Sequence, residues 1–388
     1  MASNSIAPGG TYLSHKNAPV LPPPKQKDAW WERLRRSFFG TPLSAFLTLL
    51  SSGLILWLTP DLLRFVLFDA VWNAPDGEAC RVPGAGACWA FVWHKLPYFI
   101  FGSYPEHERW RVVVTLVLGA LLLAWLLWPQ KMGKHPDKPF AAALLFLVYP
   151  LVALVLLLGA PIFGLPMVDT DLWGGIFLSL VVAGVGIVVS MPLGIILALG
   201  RRSSLPVIAL ASTSFIEFVR GVPMITVLFM ANFMLPLFLP ETVHIDRLSR
   251  PLVGVALFAS AYMAEVVRGG LQAVPKGQYE GSAALGFTTW QSLRLVILPQ
   301  AIVHVIPGIV NTFIGLFKDT TLVAIVGIFD FLRTVETARL DPVWAGPTIS
   351  ATGYLFAALF YGTICFGMSR YSIGIERRLA ERKKGRVA

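Results

Sequence analysis

The sequence predicts an all-α integral membrane protein with about eight transmembrane helices. Hydrophobic residues make up 55% of the 388, charged residues only 14%, and the mean hydropathy is +0.67. Soluble domains carry about a quarter charged residues, so an ordinary soluble enzyme or a disordered chain is excluded. Several stretches long enough to cross a hydrocarbon core, roughly 20 residues, contain no Asp, Glu, Lys or Arg. The charges between those stretches alternate in sign along the chain, as the two sides of a membrane require.

The elements follow in order. Residues 1–36 form a polar tail containing Pro22, Pro23 and Pro24, and Arg33, Arg35 and Arg36 close it. The first span, Ser37–Pro60, has 24 uncharged residues. That exceeds the apolar core of a signal peptide, so the segment reads as an uncleaved span. Connection 61–111 is aromatic and rich in Pro and Gly, and its Phe91–Phe101 portion can lie on the membrane interface. Val112–Trp128 and Phe140–Met167 are the second and third spans. Trp173–Gly200, Gly221–Pro240, Pro251 onward through Arg268, Pro299–Phe317 and Val343–Ser369 make five more. The apolar run Thr320–Phe329 is too short to cross and reads as re-entrant or protein-buried. The domains are thus the tail 1–36, three accessory spans over 37–168, a five-span core over 169–375 with its loop 273–298, and a basic tail 376–388.

With the N-terminus inside, the inside connections sum to +14 and the outside ones to −4, recovering the net +10. Of the 32 Lys and Arg residues, 22 fall inside. This asymmetry predicts both termini in the cytoplasm and 61–111 outside. It also explains the positive balance without nucleic acid. Cys80 and Cys88 share the outside connection, where a disulfide is chemically permitted; two free thiols are the alternative. Cys365 lies within a span. No His or Cys cluster has metal-ligand spacing, and no phosphate-binding Gly-x-x-x-x-Gly-Lys-[Ser/Thr] motif occurs.

The inside connection at 273–298 is the most specific stretch. Pro275 can open a helix, Tyr279–Leu285 favours one, and Gly286 can cap it in the left-handed region. Thr288 or Thr289 can cap a second short helix that leads to Pro299. The pattern predicts a helix–Gly–helix elbow on the cytoplasmic face.

Glu280-Gly281-Ser282, then Gly286, then Val296-Ile297-Leu298-Pro299 resemble the EAA loop of bacterial ABC importer permeases. Gly281 and Ser282 replace the family's two alanines with the spacing kept. Phe215–Pro223, Ala261–Gly270 and Lys318–Val323 are similar to the Glu-x-x-Arg-Gly-x-Pro, Ala-Tyr-x-Ala-Glu-x-x-Arg-Gly-Gly and Lys-Asp-Thr-Ser-Leu stretches of polar amino-acid permeases. The three extra N-terminal spans resemble the longer AapM-type permeases of the general L-amino-acid system. This implies a type I ABC-importer permease core in the last five spans. It also implies a bacterial inner-membrane location, a second permease subunit in a heterodimer, a periplasmic amino-acid-binding protein, and a separate ATPase subunit that holds ATP and Mg. The chain itself would bind no cofactor and would be no enzyme. Within the elbow, Glu280, Gly281, Ser282, Ala283, Leu285 and Gly286 would engage the ATPase.

Charges near the spans complete the candidate set. Glu217 and Arg220, and Glu265 and Arg268, are each three apart and can pair on one helix face, as structural or gating charges. Lys318 and Asp319 end a span and can meet a zwitterionic substrate or snorkel to the interface. His304 and Asn311, seven apart, share a face that can line a pathway or pack with a satisfied hydrogen bond. The predicted function is ATP-driven, binding-protein-dependent import of L-amino acids. The alternatives are a permease for another small polar solute, or an ion-coupled secondary transporter. The second would call for inverted repeats and midplane charge, which the sequence lacks.

Overall fold

A computed structural model describes residues 30–127, 137–240, 242 and 245–384. Residues 1–29 (with the Pro-rich stretch of the tail), 128–136 (with Trp128, the expected end of the second span), 241, 243–244 and 385–388 lie outside it. The chain forms two compact units, 1–64 and 65–388. The expected 168/169 partition falls inside the second.

The first unit holds α1 (Trp30–Phe39) and α2 (Pro42–Leu63). Thr41 caps α2: its hydroxyl accepts from the Ser44 N–H at 3.1 Å while Ser44 answers in a capping box, and Pro42 opens the first turn. The first span therefore begins at Pro42, and Ser37–Phe39 belong to α1.

In the second unit the helices are α3 (Glu78–Arg81), α4 (Trp89–Phe101), α5 (Arg109–Leu127), α6 (Asp137–Ala143), α7 (Tyr149–Leu158), α8 (Gly175–Arg201), α9 (Pro206–Gly221), α10 (Met224–Phe229), α11 (Ser249–Ala273), α12 (Lys276–Ala284), α13 (Thr289–Ser292), α14 (Leu298–Asp319), α15 (Phe331–Ala338) and α16 (Ile349–Lys384). Among the described residues seven helical segments are long and apolar enough to cross a membrane, or eight if one bent pair counts as a single crossing. That pair corrects one expectation. Residues 206–221 are helical, and Pro206–Gly221 meets Met224–Phe238 at 109°. Val222 is extended and Pro223 has no N–H to continue the ladder, so the chain turns there.

The core is α8 against α11, with α14 beside them. A Cβ on Gly194 would lie 2.7 Å from the Met263 side chain, and one on Gly270 would lie 2.6 Å from the Ala301 carbonyl. Small residues let these backbones approach where apolar lipid supplies no drive for association. At the Gly175 end of α8, the 69–105 segment packs onto the core. Phe91 and Phe99 are fully buried with Phe331, Trp344 and Phe356 around them. The Phe91–Phe101 portion is thus held by protein, with Trp93 left exposed. Cys80 and Cys88 are joined by a disulfide. Arg81 donates to the carbonyls of Pro342, Val343 and Ala345 at 2.8–3.0 Å, and Lys95 pairs with Asp341. That bond holds the Asp341 carboxyl below the ordinary carboxylate range.

The short helical run Thr320–Val326 buries Thr320, Val323 and Val326, in keeping with a protein-buried segment. Asp330 follows it and caps α15. Its carboxylate accepts from the Leu332 and Arg333 N–H groups at 3.1 Å and from Tyr361 at 3.4 Å, while Ser179 accepts from the Phe331 N–H at 2.9 Å. This knot joins α8, α15 and α16 and leaves Asp330 wholly buried. Burial pushes its carboxyl up to about 7 against the backbone bonds that favour the anion.

The protonated form of Asp330 is therefore favoured in the fold. Its stabilisation is complete below the unfolded pKa near 4 and is lost as pH rises through about 7. Wild-type stability in detergent should fall across that window by up to roughly 4 kcal/mol at 1.36 kcal/mol per unit, read as a falling thermal midpoint. Asp330→Asn keeps an N-cap oxygen but cannot titrate, so its midpoint should be flat there. An equal slope in both proteins contradicts the assignment.

Candidate functional site

The elbow is built from local rules. Pro275 precedes α12, and Leu285 ends it. Gly286 then adopts φ +77°, the left-handed region that glycine enters without penalty. Its N–H donates to the Ala283 carbonyl at 2.9 Å and the Phe287 N–H to the Ser282 carbonyl at 3.2 Å, the two bonds of a Schellman cap. Thr288 caps α13 in a capping box with Gln291. Ser282, the only buried residue of α12, sits 2.5 Å from the Ser292 hydroxyl and donates or accepts across the bend. Ser282 Oγ also lies 2.8 Å from the Tyr279 carbonyl. The Ala-to-Ser replacement thus supplies a bond between the two arms.

The elbow is tied to the bundle through Tyr279. Its hydroxyl donates to the Leu271 carbonyl at 2.9 Å, Arg202 donates to that hydroxyl at 3.1 Å, and the guanidinium lies over the ring at 5.5 Å. Gln300 bonds Gln278 at 3.1 Å. The opposite surface stays open: Glu280, Gly281 and Ala283 are exposed, as are Leu285 at 75% and Trp290 at 63%.

Beside the elbow lies a five-charge network. Glu265 pairs with Arg268 on its own helix, with Arg268 Nε at 2.9 Å from Oε2. The same carboxylate is 3.5 Å from Arg201 and 3.6 Å from Arg220. Arg220 also stacks over Tyr262 at 5.6 Å. Glu217 turns to Arg201 at 2.9 Å. The Glu265–Arg268 pair forms as its spacing allows. Glu217 and Arg220 do not pair with each other, because α9 packs against both α8 and α11 and each charge finds a neighbour there. Arg201, Arg202 and Tyr279 were not singled out by sequence reasoning. The Arg201-Arg202 doublet closing an uncharged span was the available signal.

The remaining candidates lie on α14. His304, Asn311 and Lys318 are exposed at successive seven-residue intervals, and Asp319 at the helix end is partly buried. They are brought to one helix and not to the charge network. Among the described residues no three His, Cys, Asp or Glu groups are placed to hold a metal.

The inner membrane component of binding-protein-dependent transport systems is the family matched by residues 190–380, which span the network and the elbow. An inner membrane amino-acid ABC transporter permease protein of Escherichia coli K12, YhdY, is 46% identical over 366 residues, covering 94% of this chain and 96% of that protein. This chain belongs to that permease family. A glutamate/glutamine/aspartate/asparagine transport system permease protein of Rhodobacter capsulatus, BztC, is 39% identical and covers 89% of the permease and 93% of its own length. Among solved structures, an amino acid ABC transporter crystallised with histidines shares 29% identity, 53% of this permease and 92% of its own chain, at a TM-score of 0.46. The permease is thus a multi-pass inner-membrane transport subunit, of a family whose ATPase is a separate subunit.

The network orders its own mutants. Glu265→Gln leaves three guanidinium groups sharing Glu217 alone, at sites about a quarter exposed. The loss should be about 2 kcal/mol, below the 3–5 typical of a fully buried broken pair. Glu217 is 55% exposed, and Glu217→Gln should stay within about 0.5 kcal/mol. Thermal midpoints in one detergent compare the two, and equal losses would remove Glu265 from its central position.

Proposed function

We propose that this permease is one half of the pathway of an ATP-driven, binding-protein-dependent importer of L-amino acids. In this reading it pairs with a second, non-identical permease subunit as in the AapM-type systems. The observation that carries it is the elbow: internally bonded, anchored by Tyr279, and presenting Glu280, Leu285 and Trp290 outward. A rigid body of that shape can seat in a groove of an ATPase subunit and pass its motion to α11 and α14. ATP and Mg belong to that partner. Basic charge at the elbow end supports placing it, and both termini, in the cytoplasm, with the Cys80–Cys88 segment in the periplasm beside the binding protein.

His304, Asn311 and Lys318 support a pathway on the open face of α14. Polar groups exposed at membrane depth are costly toward lipid, so a partner subunit or a wet pathway is their natural neighbour. Lys318 then offers an ammonium to the substrate carboxylate and Asp319 a carboxylate to its ammonium. Residues 37–168 serve as an accessory part whose 69–105 segment braces the core.

Gly286→Asp places a side chain in the left-handed region and a charge on the docking surface. The variant should reach the membrane in normal amount, lose co-purification of the ATPase, and lose ATP-dependent uptake of radiolabelled L-amino acids in proteoliposomes. Uptake at the wild-type rate, or wild-type uptake driven by a proton gradient without ATP, overturns the reading.

A further inference from the structure

One helix has no part in the transport reading. In α1, Trp30, Trp31, Leu34 and Phe38 fall on one side of a 3.6-residue period, while Glu32, Arg35 and Arg36 fall on the other, together with one apolar residue, the exposed Phe39. The apolar side is uncovered: Trp30 is 72% exposed, Trp31 64%, Leu34 40% and Phe38 48%. A stripe of two tryptophans, a leucine and a phenylalanine on a ten-residue helix with a basic opposite side is the composition of a helix that lies in a membrane surface.

The junction with α2 says what covers it. Only Gly40 and the Thr41 cap separate the two helices. A Cβ on Gly40 would overlap the Arg36 carbonyl oxygen, so the turn depends on this glycine. The Thr48 hydroxyl, besides bonding Ser44, donates to the Phe38 carbonyl at 2.8 Å, which sets the end of α1 beside the second turn of the span. Thr48 is six residues past Pro42, about 9 Å along the axis at 1.5 Å per residue. The span Pro42–Phe68 has 27 residues. At that rise it is about 40 Å long, roughly 10 Å more than the hydrocarbon core. An excess of that size can hold the turns flanked by α1 at the interface. At this junction Leu43, Phe46 and Leu47 of α2 are exposed as well, so both helices offer apolar side chains where the span begins.

We propose that α1 is an interfacial helix that seats its Trp30–Phe38 face at the acyl–headgroup boundary of a phospholipid bilayer and directs Arg35 to the lipid phosphates. It anchors the entry of the first span at a set depth. The inference is independent of the transported solute.

The test uses the full-length permease with Cys365→Ala, which leaves the bonded Cys80 and Cys88 unreactive. An environment-sensitive fluorophore is attached at Leu34→Cys or, separately, at Arg35→Cys. Each protein is reconstituted into phosphatidylethanolamine–phosphatidylglycerol vesicles. Lipids spin-labelled near the headgroup should quench the probe at 34 severalfold more than at 35, and aqueous iodide should show the reverse order. Phe38→Cys should behave like position 34, and adding Gly40→Ala should shrink the contrast. Equal access of iodide to 34 and 35 means a solvated helix and overturns the proposal. Protection of 34 from both quenchers means a protein partner covers that face, and overturns it as well.

Discussion

At the elbow end of the bundle, the carboxylate of Glu265 is the point on which three helices agree. It sits within a membrane-spanning helix, pairs with Arg268 one turn away, and is approached by Arg201 from α8 and Arg220 from α9. A charge on an apolar helix of this kind is stabilised by pairing, and Glu265 is only about a quarter exposed. The consequence runs outward: the last turn of α8, the last turn of α9 and the last two turns of α11 must stay in register for the pairs to persist. That constraint holds Arg201 in place, and its neighbour Arg202 is the residue that grips Tyr279. The elbow is thus fastened to the same ends that the network aligns.

Two regions of the permease therefore contrast. At the Gly175 end of α8, aromatic packing, a disulfide, the Arg81 clasp and the Asp330 knot join the 69–105 segment to α8, α15 and α16. These contacts are mostly apolar or bonded to backbone, and they resist small displacements. At the elbow end, an apolar cluster that includes Val267, Leu271, Ile297 and Ala301 is supplemented by charged pairs at 2.9–3.6 Å and by side-chain bonds to Tyr279. Partly exposed ion pairs of that length exchange partners at little cost. The elbow end thus adds partly exposed charge to an apolar core, where the opposite end adds a disulfide and bonds to backbone.

Much of this was legible in the residues. The spans follow from uncharged runs, and the elbow follows from Pro275, Gly286 and Thr288, because capping and left-handed turns are decided within a few residues. The Glu265–Arg268 pair needed only helical spacing. The true partners of Glu217 and Arg220 were not legible: one lies 16 residues back on α8 and the other 45 residues on along α11. Nothing in spacing chooses between a neighbour on the same helix and one brought close by packing. The 109° bend was half visible, since Pro223 marks a break but not whether the preceding stretch is loop or helix. The aromatic 91–101 stretch suits both a membrane interface and a protein core, and only the surfaces of α8, α15 and α16 decided for the core.

By itself, then, the sequence determined the class of the protein, most of its crossings and the position of the elbow, and its motifs carried the resemblance to a transport family. The first three depend on hydrophobic length and local backbone preference, which act at short range. The tertiary structure decided which carboxylate sits among the arginines, that Asp330 is buried, that Tyr279 fastens the elbow, and that α1 leaves its apolar side uncovered. Each of those rests on contacts between segments far apart in the chain or on a turn whose direction composition does not encode, and burial and pairing of that kind exist only once the helices have packed.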